Sequence, residues 1–103
     1  MKQEKQNGVM PIDYVGRVLQ EVHAILIQRG KEYNKEDENE FAAFERCASI
    51  AGCTVDDIFS VMTALKLTRL YANLEDDDSF IDLAGYTILW LAYKRKQLND
   101  IRS

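Results

Sequence analysis

Lys66 and Arg69 stand three residues apart, and Asp78, Ser79 and Asp82 follow within a short stretch of chain. Two cations at that spacing share one helix face and can hold phosphate oxygens. Tyr86 and Trp90, four apart, also share a face and can either pack in a core or stack on a base. Each group has a plainer structural reading. Asp78 or Ser79 with Asp82 has the spacing of a helix cap, and Lys66 and Arg69 fit an exposed face or an ion pair with Asp82. His23 is the sole histidine and falls at the solvent edge of a helix, which argues against histidine acid–base chemistry. Two cysteines and one distant histidine supply no zinc ligand set. The chain carries no glycine-rich phosphate loop, Ser-His-Asp set or dinucleotide fingerprint.

The chain that must position these groups has 103 residues, enough for one domain and one core. Its 47% hydrophobic and 29% charged residues are the composition of a folded protein. One proline and five glycines suit long regular elements. A net charge of −4 provides no general field for nucleic acid, so no DNA partner is expected. The Lys94, Arg95, Lys96 cluster fits a helix end that complements the macrodipole. Met1 to Asn7 lacks the apolar segment of a signal peptide, and no run is long and apolar enough to span a bilayer. Cys47 and Cys53 therefore read as reduced, partly buried thiols, and a cytoplasmic location is expected.

Residues 1–10 read as a flexible N-terminus and residues 11–103 as a single helical domain. Pro11 suits a first helical turn, and Val15, Val18, Leu19, Val22, Ile25 and Leu26 recur at helical spacing up to a stop at Gly30. Phe41, Phe44, Ala48 and Ala51 mark a second helix closed by Gly52. Thr54-Val-Asp-Asp57 has the form of a capping box, and Ile58, Val61, Met62, Leu65 and Leu70 form the expected buried stripe of a third. The acidic run Glu75 to Asp78 breaks the pattern, and Ser79-Phe-Ile-Asp82 offers the cap of a fourth. The expectation is an all-α, four-helix bundle with helices near 11–29, 38–51, 55–73 and 79–100. From Phe80 to Tyr93 the last helix is apolar on nearly every side, which calls for self-association into an oligomer. The short acidic turn makes the last two helices an antiparallel hairpin, placing Asp82 within ion-pair reach of Lys66 or Arg69.

The order Arg29-Gly-Lys-Glu-Tyr33, then Phe41 and Phe44, then Thr54-Val-Asp-Asp-Ile58, then Lys66-Leu-Thr-Arg69-Leu70, then Asp78-Ser-Phe-Ile-Asp82-Leu-Ala-Gly-Tyr86 resembles a small phage and prophage family of unassigned function. That family is in turn distantly similar to the MazG-type nucleotide pyrophosphohydrolases. The resemblance implies a helical bundle that is commonly a dimer or tetramer and cleaves nucleoside triphosphates with magnesium. Its metal is held by a Glu-x-x-Glu on one helix and a Glu-x-x-Asp on a later one. Asp82 matches the closing aspartate, with Asp78 one turn ahead, so the resemblance implies Asp78 and Asp82 as metal ligands. Where the first acidic pair belongs, this chain has Lys66 and Arg69, which would repel a metal. On this reading Lys66, Arg69 and Tyr86 contact substrate, and catalysis lacks half its acids.

Two functions follow. One is a MazG-like protein that binds or hydrolyses a nucleotide, as a catalytically diverged pyrophosphohydrolase. The other is a non-enzymatic phage accessory or anti-defence protein that binds a host protein or a signalling nucleotide.

Overall fold

The computed structural model describes residues 8–102, so most of the N-terminal segment assigned above as flexible lies outside the described residues. Four helices follow in order: α1 (Pro11–Tyr33), α2 (Ala42–Ala51), α3 (Val55–Ala72) and α4 (Asp77–Arg102). No strand occurs among the described residues, and the fold is the expected all-α bundle.

The ends of the helices follow local chemistry, in three places differently from expectation. Helix α1 does not stop at Gly30 but runs on to Tyr33. Its terminator is Asn34, whose Nδ2 donates to the Gly30 carbonyl at 3.1 Å while its Oδ1 accepts from the Ala43 N–H at 2.8 Å. One side chain thus satisfies the end of α1 and the start of α2. Glu38, expected inside α2, instead lies in the connection, where its carboxylate accepts from the Lys35 N–H and from Arg46. Gly52 closes α2 in the left-handed region at φ 71, as its type and position suggest. Thr54 and Asp57 form the expected capping box, each accepting from the other's backbone N–H at 3.1 Å.

Helix α4 is the third departure. Its cap is Asp76, whose carboxylate accepts from the Ser79 N–H at 3.1 Å and from the Ser79 hydroxyl at 2.7 Å. Ser79 is buried in the first turn, and Asp82 has no capping role. Those hydrogen bonds hold the Asp76 carboxyl below the usual carboxylate range, aided by the charges of Arg69 and Lys66 and against the effect of burial. Asp76→Ala is therefore expected to lower the melting temperature, whereas Asp78→Ala, at an exposed position one turn before Asp82, should leave it unchanged. Thermal unfolding followed by circular dichroism compares the two.

Helices α3 and α4 form an antiparallel hairpin, as the pairs Lys66–Asp82 and Asp56–Lys94 require. Helix α2 meets α3 at 96°, so that it lies across the hairpin. Phe59, fully buried, is the centre of the core: it stacks on Phe44 at 4.4 Å and on Trp90 at 6.0 Å, with Tyr93 at 6.5 Å. The Trp90 Nε1 donates to Asp56 at 2.7 Å, so the indole is both packed and satisfied. This corrects the stripe expected for α3, because Val61 and Leu65 are exposed while Val55 and Phe59 are buried. Asp56 and Asp57 favour the positive helix end, but the angle of α2 turns the Phe59 face inward. Of the α1 stripe, only Val22 is fully buried, and Val15, Val18 and Leu19 remain about half exposed. Cys47 and Cys53 are free thiols but exposed, not partly buried. No single helix among the described residues is long and apolar enough to cross a membrane.

Candidate functional site

Asp82 sits on the inward face of α4 and is the point where three helices are tied together. Its Oδ1 accepts from Arg29 Nη1 of α1 at 2.8 Å, and its Oδ2 accepts from Lys66 Nζ of α3 at 2.9 Å. The Lys66 and Asp82 side chains are each 14% exposed, against 40% for Arg29. Burial pushes the Asp82 carboxyl up, but the hydrogen bonds from Lys66 and Arg29, with their charges, outweigh it and hold it below the usual carboxylate range. The same contact raises Arg29 above its ordinary value. One carboxylate between two cations leaves the cluster with a net positive charge, and Arg29 is its open end.

Beside this cluster lies a cleft of about 250 Å³ between α1, α2, α3 and α4. Its walls are mainly apolar, from Leu26, Phe44, Ile58, Met62 and Leu89, with Arg29, Asp82, Tyr86, Asn34 and Glu40 among its polar groups, beside Tyr33 and Cys47. Gly85 lets α1 approach, since a Cβ there would lie 3.2 Å from Leu26 Cδ2. Few polar groups converging on an apolar hollow is the usual form of a small-molecule site.

The geometry treats the expected site residues unequally. Asp82 and Tyr86 line the cleft. Lys66 reaches Asp82 as the hairpin topology requires, but it does not line the cleft, because its ammonium is engaged with the carboxylate. Arg69 is exposed near the end of α3, and its charge acts on Asp76. Asp78 is exposed in the first turn of α4. Among the described residues no group of three or more His, Cys, Asp or Glu gathers to hold a metal ion. Both Asp82 oxygens already accept from cations, so this donor set does not fit a resident magnesium.

Arg29 is the residue that sequence reasoning missed. It had a signal: Val22, Leu26 and Arg29 step by four and three, so a charge stands on the core-facing stripe of α1. A charge at such a position needs a partner, and Asp82 occupies the equivalent place on α4.

The sequence matches a domain of unknown function, DUF6378, over residues 17–93, more than half of the chain. The chain belongs to the DUF6378 family. The matched span takes in most of α1, all of α2 and α3, and α4 as far as Tyr93, so Arg29, Lys66, Asp82 and the residues lining the cleft all fall within it. No curated protein matches the chain. No solved structure does so either.

Proposed function

We propose that this DUF6378 domain binds a nucleotide in the cleft beside Asp82 and does not act as a complete pyrophosphohydrolase. The observation that carries the reading is the cleft's composition: an apolar hollow whose polar wall ends in the half-exposed guanidinium of Arg29. A base occupies the apolar part against Phe44 and Tyr86, and Glu40 offers an acceptor for an amino group. Arg29 takes a phosphate oxygen as a bidentate donor. Lys66 keeps Asp82 charged and oriented and thereby positions Arg29. The resemblance to phage-type, MazG-like proteins supports a nucleotide as the ligand. The cations at Lys66 and Arg69, where that pattern has acids, support binding without hydrolysis. Magnesium, where it takes part, arrives on the nucleotide phosphates.

A thermal-shift series with nucleosides and their mono-, di- and triphosphates, with and without magnesium, tests this. A ligand at a hundred times its Kd stabilises the folded state by about 2.7 kcal/mol, a rise in Tm on the order of 10 °C for a domain this size. Arg29→Met should remove the response to phosphates while Lys66 still neutralises Asp82 and the fold persists. If no nucleotide raises the Tm of the wild-type chain at millimolar concentration, the proposal is wrong.

A further inference from the structure

Helix α4 buries one side and leaves the opposite side apolar and uncovered. Ser79, Asp82, Tyr86, Leu89 and Tyr93 recur at three and four residues and face the other helices. Half a turn away, Phe80, Ala84, Ile88, Leu91 and Leu98 form a second stripe at the same spacing. Phe80 is 48% exposed, Ile88 42%, Leu91 52% and Leu98 48%. These side chains alone present on the order of 400 Å² of apolar surface, the size of the largest patch on many monomers, which is often functional.

The charges on α4 determine what fits against it. The helix opens with Asp77 and Asp78 and closes with Arg95 and Arg102 on either side of the Lys96–Asp100 ion pair, so it is acidic at one end and basic at the other. A parallel copy would set acid against acid and base against base. An antiparallel copy, with its two-fold axis level with Leu89 and Trp90, sets Asp77 against Arg102 and Ala84 against the long side chain of Arg95. In the same register Phe80 meets Leu98, and Ile88 meets Leu91, at both symmetry-related places. The face is complementary to itself in size and in sign.

We infer that two copies of this chain pair antiparallel through the outer face of α4. The stripe supplies about half of the roughly 800 Å² per partner of a standard interface, and the flanking lysine and arginine stems have to supply the rest. The pairing leaves the cleft beside Asp82 open, because that cleft is on the opposite side of α4, and it holds whether or not a nucleotide binds there.

Sedimentation velocity of the full chain, from about 10 to about 200 μM, reads the outcome. A dimer is expected, and Leu91→Lys should weaken it by at least about a hundredfold, since two charges would be buried per pair. Asp77→Arg should weaken it severalfold, and adding Arg102→Asp should restore it, with circular dichroism unchanged in both surface variants. The inference is overturned if the wild-type chain stays monomeric throughout, which would leave the face to another protein. It is equally overturned if the dimer survives Leu91→Lys, if Leu19→Lys on α1 breaks it instead, or if the charge exchange fails to rescue.

Discussion

Phe59→Ala should destabilise the domain by about 4 kcal/mol, the largest single loss among its side chains. The ring is fully buried and touches Phe44 of α2 and Trp90 and Tyr93 of α4, so its removal opens a cavity where three helices meet. The cost combines lost transfer energy, an unfilled hole bounded by rigid rings, and the aromatic pairing itself, which adds about 1 kcal/mol for a stacked pair. Few other side chains are fully buried: Val22, Ala48, Val55 and Leu70 complete the buried apolar set among the described residues. A domain with so small a core sits at the low end of the usual 5–15 kcal/mol, so most of its stability depends on this one ring. The expected drop in Tm is on the order of 20 °C. Val61→Ala, at a position 67% exposed, should change it by less than about 3 °C. Comparable shifts for the two variants would show that Phe59 is not the centre of the core.

The second large effect belongs to Asp82. Asp82→Asn preserves shape but leaves the Lys66 ammonium, 14% exposed, and the Arg29 guanidinium without their counter-charge, and its one amide oxygen can replace only one of the two acceptors the carboxylate supplied. Breaking one side of a largely buried ion pair costs about 3–5 kcal/mol. The flexible lysine stem can carry its charge toward water, which places this case near about 3 kcal/mol. The pH dependence has a definite sign. Asp82 titrates below the ordinary carboxylate range in the folded chain, so its contribution is complete above about pH 4, the unfolded value, and is lost as pH falls through the lower folded value. The gap between wild type and Asp82→Asn in urea denaturation should therefore be full at pH 7 and shrink on acidification. A gap independent of pH would mean that the aspartate acts by packing alone. Lys66→Met should cost less than Asp82→Asn, because Arg29 still neutralises the carboxylate it leaves behind.

Both predictions rest on residues that differ greatly in how readable they were. Lys66 with Asp82 followed from topology, since a short connection obliges two helices to run antiparallel and places positions equally far from the turn at one height. Phe59 did not follow from α3. That helix is apolar on several sides, so its periodicity does not single out a buried face, and Val61 and Leu65 look as eligible as Val55 and Phe59. The same degeneracy hid the cleft, because Leu26, Phe44, Met62 and Leu89 are indistinguishable in sequence from residues that close-pack. Asp76 and Ser79 both have cap chemistry in the same short run, and a helix start three residues earlier made Asp76 the cap and Ser79 its partner in the first turn.

Short-range rules were sufficient for what depends on short-range interactions. Four helices, the capping box at Thr54, the left-handed Gly52 and the antiparallel hairpin all follow from steric preference, hydrogen-bond satisfaction and chain connectivity within a few residues. Whether Asp82 would be a cap or the knot between α1 and α3 depended on what stood across from it. That was decided by the packing of α1 and α3 against α4, which sums many weak side-chain contacts between residues far apart in the chain. Arg29 and Asp82 are separated by 53 positions. Their 2.8 Å contact lies where α1 packs closely on α4, with Gly85 against Leu26 and with Asn34 joining the end of α1 to α2. No local pattern in a single sequence encodes that distance, since each of those residues has several conformations that satisfy it equally well until the helices pack.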